Sequence, residues 1–251
     1  MAKLVLDDIC VRFGGLQALT DVSFSLDKGD VVGLIGPNGA GKTTVFNVIT
    51  GVYKASSGTA SYDGETITGL RPYQILSKGI ARTFQNIRLF QNMTALENCM
   101  IAQHSRSTKG VVGAILRSPS QKREEERITE KSMEALKFMG LEEVADEVAS
   151  NMAYGHQRRL EIARALASEP HTILLDEPAA GLNPAESMEL MHDIGRITDL
   201  GINVLMVEHD MKVVMGICNR IIVLDHGVMI AEGLPEEIRK NPDVIEAYLG
   251  Q

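Results

Sequence analysis

The sequence predicts an α/β fold with a mixed, mainly parallel sheet, and three stretches carry that prediction. Residues 31–36, "VVGLIG", form a short unbroken apolar run that ends in glycine, as a strand buried on both faces does. From about residue 171 strand and helix patterns alternate: "TILLD", 185–199, "INVLMVE", 210–217 and "RIIVLD". That alternation calls for a parallel sheet covered by helices. The first 70 residues read differently, as an antiparallel β portion.

Each element has a local reason. In "VSFSL", Val22, Phe24 and Leu26 alternate onto one face. Residues 58–67, "GTASYDGETI", read as a hairpin with Asp63-Gly64 in its turn. "KTTVFNVIT" reads as a helix opened by the glycine-rich loop before it. Residues 104–126 break the pattern with Ser, Gly, Lys and Arg, and Pro119 interrupts them. In "QKREEERITEKSMEALKFMG", Ile128, Ala135, Leu136 and Met139 share one helical stripe and Gly140 is the stop. The charges of that helix are read as a solvated face. Residues 156–168 are again helical in pattern.

Composition sets the outer limits. With 251 residues, 44% of them hydrophobic, the chain can bury a sizeable core. No apolar run approaches the ~18–20 residues of a membrane-spanning helix. The opening "MAKLVLDDIC" lacks the shape of a signal peptide, and Cys10, Cys99 and Cys218 show neither a disulfide framework nor a metal-ligand spacing. A reducing cytosol is the expectation. A net charge of -8 with only 4% aromatics argues against a nucleic-acid partner, which would want a basic face or stacking rings.

The chemistry-bearing stretch is Gly36-Pro37-Asn38-Gly39-Ala40-Gly41-Lys42-Thr43, followed by Thr44. It matches the Walker A pattern in full, between a strand and a helix. Gly36, Gly39 and Gly41 let backbone N–H groups approach phosphate oxygens, and the helix N-terminus adds its positive end. Lys42 suits the β- and γ-phosphates of a nucleotide, and the Thr43 hydroxyl suits Mg²⁺. A second stretch, "HTILLDEP", leaves Asp176 and Glu177 at the C-terminal end of an apolar strand, where parallel sheets bind ligands. Asp176 suits a Walker B role on Mg²⁺. Glu177 suits a general base that polarises an attacking water.

With these and four further features in order, the sequence resembles the ATP-binding cassette ATPases along essentially its whole length. Gln85 in "RTFQNIRLF" stands at that family's Q-loop, "MAYGHQRRLEIARAL" at its signature motif, "AGLN" at its D-loop and His209 in "VEHD" at its switch histidine. Any one of these alone is bland, whereas the ordered set is specific. "RFGGLQAL", "DEPAAGLNPAE", "EHDMKVVMGICNRIIVLDHG" and the ending "NPDVIEAYLG" further resemble the branched-chain amino-acid transporter group, most closely its first ATP-binding subunit. Groups handling urea or lipopolysaccharide are near relatives and remain alternatives for the substrate.

The resemblance implies a RecA-like P-loop NTPase core with an antiparallel β subdomain, spanning 1–85 and 158–251. It also implies an inserted helical subdomain over 86–157 that ends in the signature motif. Two cassettes, as a homo- or hetero-dimer, would enclose ATP and Mg²⁺ head to tail. Asp176, Thr43 and Gln85 would attend the metal, and Glu177, His209 and Gln85 the hydrolysis. The signature of the opposing half would meet the γ-phosphate. Transmembrane permease subunits would hold the chain on the inner face of the cell membrane, without lipid insertion.

Phe13 stands where the family stacks an aromatic on adenine; a plain core phenylalanine is the rival reading. The signature itself departs from Leu-Ser-Gly-Gly-Gln. Ala153 has no hydroxyl, which leaves backbone N–H groups near Gly155, with Tyr154 or His156, to face the phosphate. Asn183 replaces the usual D-loop Asp.

Ile87, Leu89, Phe90, Met93 and Leu96 either line a groove for a partner's helix or form subdomain core. Two competing functions remain in view. A soluble cassette acting on ribosomes or DNA would carry two cassettes or a coiled-coil or zinc insertion. A P-loop kinase or GTPase switch would lack the signature helix and His209.

Overall fold

The computed structural model describes residues 3–103 and 119–249. The chain divides into two compact units, Met1–Gln85 with His171–Gln251, and Asn86–Pro170.

The first unit holds two sheets. Strands β1 (Leu4–Phe13), β2 (Leu16–Leu26), β4 (Ser57–Tyr62) and β5 (Glu65–Thr66) form an antiparallel sheet in the order β2-β1-β4-β5. Val22, Phe24 and Leu26 point into the core, as their alternation predicts. Asp63 and Gly64 both take positive φ between Tyr62 and Glu65, the backbone that a two-residue hairpin turn needs.

The second sheet contains β3 (Val31–Ile35), β6 (Ile80–Arg82), β7 (Thr172–Asp176), β8 (Asn203–Val207), β9 (Arg220–Asp225) and β10 (Val228–Gly233). Its order is β10-β9-β3-β8-β7-β6, parallel except for β10, which runs antiparallel to β9. Strands β3, β7 and β8 are buried at every residue, which explains their unbroken apolar runs.

Helices α1 (Lys42–Ile49), α2 (Pro72–Ser77), α6 (Pro184–Asp199), α7 (Met211–Ile217), α8 (Pro235–Ile238) and α9 (Pro242–Leu249) complete the unit. Val45, Phe46, Val48 and Ile49 of α1 join one continuous core with Leu6, Leu34, Leu174, Leu205 and Ile222. The phosphate loop is therefore anchored at both ends by buried apolar surface.

The second unit is helical: α3 (Ala95–Gln103), α4 (Pro119–Phe138) and α5 (Tyr154–Ala167), with 3₁₀ turns at Glu142–Val144 and Ala149–Asn151. Each of the three helices packs on the other two. Ala135, Leu136 and Met139 are buried, Ile128 is half-buried, and Gly140 ends the stripe at φ 67. Pro119, expected to interrupt the pattern-breaking stretch, opens α4 instead; proline is tolerated at a first helical turn. The remaining residues of that irregular stretch up to 118 lie outside the described residues.

The expected boundary at 157/158 moves to 170/171. The reason is packing: α5 packs on both α3 and α4, so the signature helix is not shared out between units. Of the mixed apolar set after Gln85, Leu89 is buried, Ile87, Met93 and Leu96 are half-buried, and Phe90 is exposed.

Candidate functional site

The phosphate loop leaves β3 at Ile35 and enters α1 at Lys42. Two glycines are sterically required. At Gly36 (φ 147) a Cβ would stand 2.0 Å from the Leu224 carbonyl oxygen. At Gly41 (φ 102) it would stand 2.7 Å from Leu19 Cδ2, and this residue caps α1 with no side-chain oxygen competing for its N–H groups. Ala40 is locked into the loop: its N–H donates to the Pro37 carbonyl at 3.1 Å, and its carbonyl accepts from Gly227 N–H at 3.0 Å. Asn38, Gly39 and Thr43 are exposed and Thr44 is half-buried.

Lys42 is 6% exposed, and its Nζ donates to the carbonyls of Gly36 at 2.6 Å and Pro37 at 2.8 Å. Burial pulls its pKa down, while the carboxylates of Glu177 and Asp176 oppose that shift. A desolvated ammonium held by neutral carbonyls is poised for an anion, which would restore the charge balance lost on burial.

Strand β7 delivers Asp176, which is 4% exposed. Its Oδ2 accepts from Arg82 Nη2 at 2.8 Å, and its backbone N–H donates to Thr83 Oγ1 at 3.3 Å. Glu177 follows at φ 50, a left-handed conformation that is uncommon outside glycine and asparagine and clusters at functional sites. Its backbone N–H donates to the Val207 carbonyl at 2.9 Å, which pins this turn to β8.

Both side-chain oxygens of Glu177 are held. Gln85 Nε2 donates to Oε2 at 2.8 Å, and His209 Nε2 stands 2.6 Å from Oε1. One carboxylate thus lies between the Q-loop amide and the switch imidazole. Gln85 thus touches Glu177, the carboxylate expected to act as base, whereas the sequence led one to expect it at the metal and the water.

Two residues of this cluster escaped the sequence reading. Arg82 was visible as a lone charge in the otherwise apolar "GIART". Glu208, 4% exposed, bridges two loops: Oε1 accepts from Ala179 N–H at 2.7 Å, and Oε2 from His209 N–H at 2.9 Å and Asp210 N–H at 3.3 Å. It sat beside His209 in "VEHD", but nothing in the sequence said that it faces inward. Asn183 has a definite task here. Its Oδ1 caps α6, accepting from Ala185 N–H at 2.9 Å and Glu186 N–H at 3.0 Å, and Glu186 returns the bond in a capping box.

Phe13 is 44% exposed, so the plain core reading does not hold. Its ring meets Tyr53 edge-on, centroids 5.0 Å apart.

The signature residues lie in the second unit. Ala153, Tyr154 and His156 are exposed and Gly155 is half-buried at the start of α5. Ala153 occupies the N-cap position, and its methyl side chain offers no cap to the helix's first N–H groups. The Tyr154 hydroxyl accepts from Arg158 Nη2 at 3.1 Å. Arg158 pairs with the fully buried Glu161 at 3.2 Å, and Glu161 also accepts from Arg88 N–H at 3.2 Å.

The family model described as "ABC transporter" matches residues 19–180 of this chain. The chain belongs to the ABC transporter family. Its C-terminal residues 228–251 also match the model "Branched-chain amino acid ATP-binding cassette transporter". The cassette is 47% identical over 249 residues to the high-affinity branched-chain amino acid transport ATP-binding protein LivG of Salmonella typhimurium, covering 99% of this chain and 98% of LivG. Among solved structures it superposes on a nucleotide-free ATP-binding cassette from an ABC transporter with a TM-score of 0.88 and 34% identity. It matches the ADP conformation of an ATP-binding cassette with a TM-score of 0.87 and 33% identity, and both matches cover 100% of both chains. The P-loop NTPase fold expected from the sequence is the fold found.

Proposed function

We propose that the cassette is the ATP-binding and ATP-hydrolysing subunit that powers a branched-chain amino-acid importer. It would work as one of two cassettes held by transmembrane permease subunits on the inner face of the cell membrane. The observation that carries this reading is Glu177, gripped by Gln85 and His209 at the mouth of a phosphate loop. The likeness to LivG supports the substrate. Among the described residues no helix is long and apolar enough to cross a membrane, which fits attachment through partners.

The loop fits a triphosphate. Its required glycines keep the cradle free of side chains, and Lys42 offers a buried ammonium there. Thr43 and Asp176, with Gln85, would hold Mg²⁺, which when bound neutralises charge on the phosphate oxygens.

The residues then divide the work. Phe13 would meet the base, while the loop N–H groups, Lys42 and Thr44 hold the phosphates. Glu177 polarises the attacking water and accepts its proton. Each of its oxygens keeps a further lone pair for that water, and His209, with its side chain 46% exposed, has the freedom to turn from Oε1 toward a phosphate. The uncapped N-terminus of α5, at Ala153 to His156, suits the γ-phosphate bound by a second cassette.

Substituting Glu177→Gln tests the reading. ATP hydrolysis should fall about 100-fold or more, the scale of a lost general base, while ATP binding survives. Hydrolysis near the wild-type rate would remove Glu177 from this role. In the same variant saturating ATP should drive dimers in sedimentation; monomers alone would mean that the second cassette is a different chain.

A further inference from the structure

We propose that Arg82 is a positioning residue that locks the Walker A helix and the Walker B strand into one register. It acts through Asp176, and the proposal rests on the ATPase reading above.

The geometry is that of a two-armed clamp. Arg82 ends β6 and pairs in register with Leu174 on β7, two residues before Asp176. One arm, Nη2, reaches Asp176 Oδ2 at 2.8 Å. The other, Nη1, reaches Asn47 Oδ1 of α1 at 2.7 Å and Oγ1 of its C-cap, Thr50, at 3.3 Å. Helix α1 is the helix that begins with Lys42 and Thr43. The guanidinium also lies over the rings of Phe46, 5.4 Å to the centroid, and Phe84, 5.1 Å. Both partners of the ion pair are buried, with side chains 8% and 6% exposed.

This arrangement does more than neutralise a buried charge. A carboxylate on a strand end has a free torsion, and the Arg82 bond to Oδ2 fixes it. Asp176 Oδ1 takes no hydrogen bond among the described residues, so the oxygen left over is the one available to a metal or its water. The same guanidinium spans to Asn47, little more than one turn along from Thr43. The two groups expected at the metal therefore sit on elements joined by one planar, rigid fork. Arg82 is also three residues before Gln85, which grips Glu177, so residues 82–85 orient both carboxylates. A lysine would keep the charge but, as a point donor on a flexible stem, could not hold both arms at once.

The test uses the full chain with Arg82→Lys, Asn47→Ala and Arg82→Met. A fluorescent ATP analogue is titrated in EDTA and again in Mg²⁺, and hydrolysis is followed against Mg²⁺ concentration. If Arg82 positions the site, Arg82→Lys and Asn47→Ala bind the analogue in EDTA as the wild type does. The tightening caused by Mg²⁺ should shrink several-fold in both, and half-saturating Mg²⁺ should rise about 10-fold in Arg82→Lys, the scale set by a second contact on a metal ligand. Arg82→Met should show the larger effect. If it does not fold, the other two carry the test.

A role confined to stability gives a different result: lower melting temperatures, with Mg²⁺ tightening and half-saturation within twofold of wild type. That result overturns the proposal. Failure of the wild-type chain to bind or hydrolyse ATP would instead overturn the functional reading on which it rests.

Discussion

Replacing Glu208 with alanine should both loosen the fold and slow the enzyme. Its carboxylate accepts three backbone N–H groups, at 2.7, 2.9 and 3.3 Å, from a side chain 4% exposed. A hydrogen bond to a charged group contributes roughly 1.5–3 kcal/mol, and a buried donor left without an acceptor costs about 1–3 kcal/mol. The 3.3 Å contact is weak, and His209 is an exposed residue. The Ala179 N–H, in a residue 9% exposed, is the donor that would be stranded. A loss of about 2–4 kcal/mol follows, or a melting temperature lower by about 5–15 °C for a chain of this size. The same carboxylate ties the loop after Glu177 to the loop carrying His209. Without it both drift, and displacement of a catalytic group by about 1 Å can cost ~100-fold in rate. Thermal unfolding and steady-state ATP hydrolysis, measured on Glu208→Ala and Glu208→Gln, check this. Glutamine keeps one acceptor and should fall between alanine and wild type. An alanine variant that melts within about 1 °C of wild type and turns over normally would refute the reasoning.

Phe13→Ala should raise the KM for ATP about 10-fold or more with little change in kcat, since stacking on a base contributes about 1–3 kcal/mol. An unchanged KM would show that the exposed Phe13–Tyr53 pair serves something else. Burial pushes the thiols of Cys99 and Cys218 from 9.0 up to about 12, so a thiol reagent at pH 8 should spare both until the chain unfolds. Burial also raises the Tyr62 phenol from 10.0 to about 12. In all three the folded state holds its proton more tightly than the unfolded chain. Their contribution is therefore present in full below about pH 9 and is lost as pH rises toward 12, by about 1.4 kcal/mol per pH unit for each titrating group. Urea unfolding at pH 8, 9.5 and 11 should show that decline; flat stability across the range would contradict it.

Local pattern carried much of this molecule. The glycine-rich loop announced itself because tight turns and close phosphate approach admit few residue types, and Gly36 and Gly41 prove sterically irreplaceable. The buried strands were plain in "VVGLIG" and "TILLD" because a strand covered on both faces has no reason to alternate. The short strand β6 was not foreseen. Three residues cannot display a period, and only its pairing with β7 makes it a strand.

By itself, the sequence determined the class of fold, the order of the motifs and the candidates for the groups that do chemistry, because these depend on residue type and near-neighbour spacing. Tertiary structure alone decided which side chains face one another. Gln85, Glu177 and His209 lie far apart along the chain and meet because parallel strands bring their C-terminal ends to one edge. Arg82 and Glu208 have no motif to mark them, since their meaning is a direction, inward, that side-chain identity does not encode. The signature helix likewise found its unit through packing on α3 and α4, a contact between segments that no window of sequence contains.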